Sequence, residues 1–157
     1  MSGKYYRFGI AIFFLLIACS KHTVTDQVTS IMSDGWEYND KMAFQYAVSD
    51  TSVSYDVFIL VRNTMNYSYS NLWLFIETHS PGGYSQRDTL EILLADESGR
   101  WLGKGGQSIN TLLAPYKMNI HFPERGIYQT TIQHAMRDTV LKHVTDIGLR
   151  IQYHIPK

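Results

Sequence analysis

The stretch YDVFILVR, residues 55–62, decides the fold class. It holds five consecutive apolar residues from Val57 to Val61, and three of the five are β-branched. An apolar run of this length, flanked by polar loops, is typical of a strand buried on both faces. The segment therefore predicts a strand at the centre of a sheet, and the neighbouring segments must supply its partners.

Segments on either side alternate as half-buried strands do. Residues 42–48 place Phe44, Tyr46 and Val48 on one face, and residues 72–78 form the next strand after a connection rich in Asn, Ser and Tyr. The Ser-Pro-Gly-Gly run at 80–83 ends that strand. Further strands are predicted over residues 116–122, 127–132 and 147–155, the last with Leu149, Ile151 and Tyr153 on one face.

The remaining segments are interpreted more locally. Residues 88–95 and 100–102 flank a turn at 96–99 and predict a hairpin. Residues 108–113 are interpreted as a single helical turn, and residues 138–145 as a short helix or loop. Gly148 lies in the middle of the last strand, where a glycine indicates a bulge or a close backbone approach.

About eight strands and no long helix favour an all-β fold: an antiparallel β-sandwich that is jelly-roll-like. The domain is expected to span residues 31–157. A chain of 157 residues is long enough for one domain with a real core. The 21 aromatic residues suit strand packing.

The first 19 residues carry a lipoprotein signal. Lys4 and Arg7 precede a ten-residue apolar run at 8–17, which is too short to span a bilayer and has the length of a signal-peptide core. Residues 16–19, Leu-Ile-Ala-Cys, resemble the bacterial lipobox. This resemblance implies cleavage after residue 18, lipidation of Cys19 and anchoring by two or more acyl chains. Residues 19–30 are then expected to form a polar, lipidated tether.

Composition argues against several classes of function. The net charge is +0, and removal of Lys4 and Arg7 with the signal leaves it near −2, so a nucleic-acid partner is not expected. No histidine pair has metal-ligand spacing, and the glycine-rich 103–106 loop lacks the P-loop pattern. We expect no metal, no cofactor and no catalytic residues, so the protein is not predicted to be an enzyme.

Three tryptophans leave an alternative open. Exposed aromatics on a jelly roll stack on sugar rings, so a glycan-binding surface lipoprotein is a second hypothesis. Trp73 lies inside an apolar strand and Trp101 beside a hairpin, which favours core packing for both.

Partner-binding residues are expected among exposed aromatics and arginines, which dominate the energetics of protein interfaces. The candidates all lie in predicted loops or just after strands: Tyr67, Tyr69, Tyr84, Arg87 and Arg137.

Three C-terminal segments, FPERGIY at 122–128, IQHAMR at 132–137 and DIGLRI at 146–151, resemble the GldH family of gliding-motility lipoproteins of the Bacteroidetes. Residues 72–74 and 103–105 are similar as well. The resemblance implies an outer-membrane lipoprotein facing the periplasm, associated with the gliding apparatus or with envelope assembly. Its partners would be the membrane, through Cys19, and other envelope proteins. It implies no catalytic residues.

Overall fold

The structure, a computed structural model, describes residues 22–106 and 108–156. The signal peptide and Cys19 lie outside the described residues. Within the described ranges there is no helix, and so no helical membrane span. The strands there are β1 Thr23–Ser30, β2 Trp36–Glu37, β3 Met42–Val48, β4 Tyr55–Thr64, β5 Asn71–His79, β6 Ser85–Leu93, β7 Lys104–Gly105, β8 Ile109–Ile120, β9 Gly126–His134, β10 Val140–Leu141 and β11 Val144–Tyr153.

The strands form two main sheets with antiparallel pairing. One has the order β1-β11-β4-β8-β7 and the other β3-β9-β5-β6, while β10 and β2 form a small separate pair. Eight of the described strands have seven or more residues. Numbered 1 to 8 along the chain, they have the order 1-8-3-6 in the five-stranded sheet and 2-7-4-5 in the four-stranded sheet. This order is that of a jelly roll. The predicted fold class is confirmed, and β4 lies at the centre of its sheet as residues 55–62 indicated.

The core lies between the two sheets. From the four-stranded sheet, alternate residues of β3, β5 and β9 point inward, including Phe44, Leu74 and Ile132. From the five-stranded sheet, Ile59 and Leu149 meet them at 0% and 1% exposure. Full burial of one such side chain stabilises the fold by about 1.5–3 kcal/mol, so this inner layer is the main source of stability.

Aromatic residues fill both ends of the sandwich. At the end where β1 finishes, Trp36 is fully buried, and its indole N–H donates to the Asp40 carbonyl at 2.9 Å. At the end where β1 begins, Phe122 packs against Tyr55, Tyr46 and Tyr128, with ring centroids 4.9 to 5.9 Å apart.

Residues 23–30 correct the expected tether and the domain boundary at residue 31. They form β1, which pairs with β11 from Thr23 to Ser30. The segment TVTDQVTS is rich in β-branched residues, and an edge strand needs only one half-buried face. The sandwich therefore includes residues 23–30.

Two local predictions are also corrected. Residues 109–113 are not a helical turn but the start of β8, because Ile109–Leu113 pair with β4. The turn at 96–99 is confirmed: the Asp96 carboxylate accepts hydrogen bonds from the backbone N–H groups of Ser98 and Arg100. The second strand of the predicted hairpin, residues 100–102, contributes only one bridge, between Ala95 and Trp101, because β6 pairs with β5 instead.

Gly148 makes a close backbone approach rather than a bulge. A Cβ atom at this position would lie 2.7 Å from the Gln27 carbonyl oxygen and 3.2 Å from the Leu60 side chain. The register irregularity of β11 lies nearby, between Val144 and Asp146.

Candidate functional site

The outer surface of the four-stranded sheet carries exposed aromatic and cationic side chains. The alternation of β5 turns Leu72, Leu74 and Ile76 into the core and leaves Trp73 and Phe75 on the outside. Arg87 of β6 lies over the Phe75 ring, with Cζ 4.4 Å from the ring centroid. We call the group Tyr69, Trp73, Phe75, Arg87 and Arg137 the aromatic face.

Trp73 is the largest exposed side chain of this face. It is 38% exposed, so the expectation that it packs in the core is wrong. Its backbone is fixed by the segment after β9, since Ala135 N–H donates to the Trp73 carbonyl at 2.7 Å and the Trp73 N–H lies 3.3 Å from the Met136 sulfur. Trp101, by contrast, is half-buried and packs against the core, as predicted.

A shallow depression of about 410 Å³ lies beside Trp73. It is lined by Tyr69, Asn71, Trp73, Ala135, Met136 and Arg137. Tyr69 donates its hydroxyl to Asp138 at 2.8 Å, and this hydrogen bond to a carboxylate raises the pKa of Tyr69. Two of the predicted partner-binding residues, Tyr69 and Arg137, thus lie beside Trp73, which was expected to pack in the core.

Both arginines of the aromatic face lack a carboxylate partner among the described residues. Arg87 is exposed and lies on the Phe75 ring, and it has no ionic or hydrogen-bond partner among the described residues, although Glu77 is its register partner on β5. Arg137 is exposed at the rim of the depression. An arginine with no partner keeps its donors available for a carboxylate or a backbone carbonyl of another molecule.

Tyr67 is not a surface residue, which corrects its place among the partner-binding candidates. It is 5% exposed, and its hydroxyl donates to the Asn71 carbonyl at 3.0 Å. Burial raises the pKa of this tyrosine. Its ring packs edge-on against Tyr69 at 5.7 Å, so Tyr67 supports the aromatic face from beneath.

Tyr84 lies apart from the other candidates. It is 69% exposed and sits in the turn after β5, whereas Tyr69 precedes the same strand. A nine-residue strand separates the two by about 25 Å. Tyr84 therefore belongs to the opposite end of the sandwich, where it lines a cavity between the sheets.

The family comparison fits this architecture. The family model described as GldH lipoprotein matches residues 23–151, which is the sandwich from the first residue of β1 into β11. The chain belongs to the GldH lipoprotein family. The resemblance seen in the sequence is thereby confirmed.

Two GldH relatives cover most of the chain. It is 35% identical over 156 residues to a protein of Christiangramia forsetii named gliding motility lipoprotein GldH homolog, covering 92% of this chain and 95% of that protein. It is 31% identical over 145 residues to the gliding motility lipoprotein GldH of Flavobacterium johnsoniae, covering 88% and 89%. No solved structure matches the chain.

Proposed function

We propose that this chain is a lipid-anchored, non-catalytic protein of the outer membrane that faces the periplasm and holds an envelope protein through its aromatic face. Membership of the GldH family supports the lipoprotein and gliding-motility setting. The lipobox at 16–19 supports the anchor at Cys19.

The composition of the aromatic face carries the proposal. Tryptophan, tyrosine and arginine are the residue types that dominate interface energetics, and interfaces place them beside pockets that exclude water. Here Trp73 and Arg137 flank one depression, and Arg87 is preoriented on Phe75. The partner is therefore expected to present carboxylates next to an apolar side chain.

The short link to Cys19 would also orient the domain relative to the membrane. Only three residues separate Cys19 from Thr23, and even a fully extended chain of that length reaches no more than about 14 Å from the first residue of β1. Thr23 pairs with Gln152, next to Tyr153 and Tyr55, whereas Trp73 lies at the end where β1 finishes. The anchor would hold the Tyr55 end close to the membrane and present the aromatic face away from it.

Anchoring also explains why a modest face suffices. Confinement to a surface raises the effective concentration toward other membrane-bound partners, so a weak contact becomes occupied. A depression beside one tryptophan then supports stable co-localisation without a large apolar patch.

The anchor is tested by Cys19→Ala in the full chain. We expect the precursor to keep its signal, to lack the acyl mass by mass spectrometry, and to disappear from the outer-membrane fraction. Normal processing and sorting of this variant would contradict lipid anchoring and leave the aromatic face to be tested separately.

The face is tested by the double variant Trp73→Ala with Arg137→Ala, followed by cross-linking in cells and mass spectrometry of captured envelope proteins. Ile127→Ala is a matched control, since it removes an exposed apolar side chain from the other end of the same sheet. We expect the double variant to lose a captured protein that both the control and the wild type retain. Equal capture by all three would contradict the proposal.

Glycan binding is a second candidate, favoured by the exposure of Trp73. Its ring lies beside Asn71, whose amide donates to Glu91 at 2.6 Å, so a stacking surface adjoins polar groups. A glycan array probed with the wild-type protein and with Trp73→Ala separates the two functions. Signals that depend on Trp73 would favour the glycan, and an array with no signal would favour the protein partner.

A further inference from the structure

A cavity of about 140 Å³ opens between the two sheets at the end where β1 begins. Its walls are mostly aromatic and aliphatic: Tyr46, Val57, Tyr116, Ile120, Phe122, Tyr128 and Leu149. A cavity of about 150 Å³ engineered in another protein holds one benzene ring, so the space here fits a single six-membered ring.

The inner part of this cavity is polar at one place only. The Tyr46 hydroxyl lies 3.2 Å from Thr130 Oγ1, which in turn lies 3.0 Å from Thr78 Oγ1. Burial raises the pKa of Tyr46 to about 12, so all three groups are protonated hydroxyls at neutral pH. Thr130 is 2% exposed, and Tyr46 is 7% exposed.

One of the three hydroxyl hydrogens has no acceptor within the group. Each carries one hydrogen, and the two contacts among them consume two. No other acceptor contacts the three side chains among the described residues. Tyr46 and Thr130 are buried and Thr78 is half-buried, so a donor of this group that lacks an acceptor favours a ligand that brings an oxygen to it.

The mouth of the cavity is held by contacts between two turns. Ser80 donates to Glu124 at 2.7 Å, which joins the turn after β5 to the turn before β9. On the β8 side, Lys117 pairs with Asp88 at 2.7 Å. Tyr84, Gln86 and His121 complete the rim. The opening is thus fixed by the fold and does not need to form when a ligand arrives.

We propose that this cavity binds a phenolic ring, with the ring against the apolar walls and its oxygen on the Tyr46–Thr130–Thr78 hydroxyls. A sugar ring carries hydroxyls around its whole edge, whereas the polar side chains other than the three hydroxyls lie at the mouth: Ser80, Gln86, Lys117 and His121. An acyl chain has no oxygen at its inner end. A phenol has one oxygen at one tip, which matches polar groups confined to one place.

The ring has two possible sources with the same chemistry. It is either a free phenol or the tyrosine side chain of a partner segment that enters past Tyr84. The two are distinguished by probes of different size: p-cresol as the free ring, and a short extended peptide with one central tyrosine, matched by the same peptide with phenylalanine.

The experiment uses the mature full-length protein in lipid nanodiscs, with empty nanodiscs subtracted. Occupancy is followed through the methyl resonances of Val57, Ile120 and Leu149, which line the cavity. Toluene, which has the same ring without the oxygen, is the apolar reference. We expect p-cresol to bind about ten-fold more tightly than toluene, which corresponds to one hydrogen bond.

The matched variants test the hydroxyls directly. The triple variant Tyr46→Phe, Thr78→Val and Thr130→Val keeps the shape and should bind toluene while losing the preference for p-cresol. Thr131→Val, on the opposite face of β9, should keep it. No saturable shift with p-cresol, equal binding of the two rings by the wild type, or an unchanged preference in the triple variant would overturn the proposal. A higher affinity for the tyrosine peptide than for p-cresol would identify the source as a partner.

Discussion

Both arginines on the outer face of the five-stranded sheet are matched to a carboxylate, whereas neither arginine of the aromatic face is. Arg150 lies 2.6 Å from Asp26, its neighbour across β11 and β1, and Arg62 lies 4.0 Å from Asp146. On the four-stranded sheet, Arg87 rests on a ring, and Arg137 has no ionic partner in the described chain.

The apolar groups of the two faces do not differ in this way. On the five-stranded sheet, Leu60 is 7% exposed, but Val28, Ile109 and Met118 are 42%, 42% and 46% exposed. On the four-stranded sheet, Trp73 and Leu93 are 38% and 59% exposed. Exposed apolar side chains occur on both faces, and the pairing of the arginines is what separates them. The difference teaches that exposure alone does not mark a binding surface; exposure combined with unused donors does.

Gly148→Val would disrupt the packing of β11 in the five-stranded sheet and should have the largest effect. The new Cβ meets the Gln27 carbonyl at 2.7 Å and the Leu60 side chain at 3.2 Å, and neither backbone oxygen nor packed core can move freely. We expect a loss of about 1–3 kcal/mol in the free energy of unfolding, as for other overpacked sites. Urea denaturation measures it.

The control is Gly106→Val, because a Cβ there would meet nothing within 4 Å. It should change stability by less than about 0.5 kcal/mol. If Gly148→Val were no more destabilising than this control, β1 would not be packed on β11 as described.

A second prediction concerns the support of the aromatic face. His134 is fully buried between the rings of Trp36 and Tyr38, beside Leu74, and neither ring nitrogen has a hydrogen-bond partner among the described residues. Burial lowers its pKa, although the backbone of Trp36 and the carboxylates of Asp138 and Asp40 act in the opposite direction. The folded state therefore holds neutral His134.

The sign of the pH effect follows. The unfolded chain takes up a proton near the ordinary histidine pKa of about 6.5, while the folded chain resists it, so stability is full above that pH and declines below it. Denaturation from pH 7.5 to 5 should show this decline in the wild type and in His121→Phe, whose histidine is exposed. His134→Phe should flatten the curve; a curve of unchanged slope would mean that another group titrates.

The interior of the sandwich was predictable from the sequence because period-two alternation is set by burial alone. Phe44, Tyr46 and Val48 were assigned to one face, and Leu149, Ile151 and Tyr153 to another. Five of the six are buried, and Tyr153 is half-buried and packs against the core. β1 was missed because its pattern is interrupted: a register shift between Thr23 and Thr25 turns Val24 toward the core, whereas Val28 faces outward.

The candidate site was predictable only in part. Tyr69 and Arg137 were chosen by residue type, and the structure joins them at one depression. Tyr67 was chosen by the same rule, yet it is buried. The prediction failed because nothing in the local sequence distinguishes two tyrosines that lie two residues apart in a loop. The exposure of Trp73 could have been predicted from the alternation of the strand, since burial of Leu72, Leu74 and Ile76 requires the residues between them to face outward.

Asp26→Asn tests the ionic pairing on the five-stranded sheet, with a smaller effect. It removes the charge opposite Arg150 while keeping the shape of the side chain. A partly exposed pair contributes about 0.2–1 kcal/mol, and the loss should shrink in 1 M salt because the ions screen it. Paired urea titrations at low and high salt measure it. A loss that is independent of salt would mean that the contact is steric rather than ionic.

Arg137→Ala should have the smallest effect on stability, and for that reason it separates the two faces best. The side chain is exposed and has no ionic or hydrogen-bond partner in the described chain, so its removal leaves no unpaired group behind. We expect the free energy of unfolding to stay within about 0.5 kcal/mol of the wild type, the range of ordinary surface changes. Capture of the envelope partner by cross-linking should fall nevertheless, since an unpaired guanidinium is retained for contacts outside the chain. A variant that unfolds more easily would show that Arg137 is already engaged within the domain. A variant that is fully stable and captures the partner as the wild type does would remove Arg137 from the aromatic face and leave Trp73 and Arg87 as its binding residues.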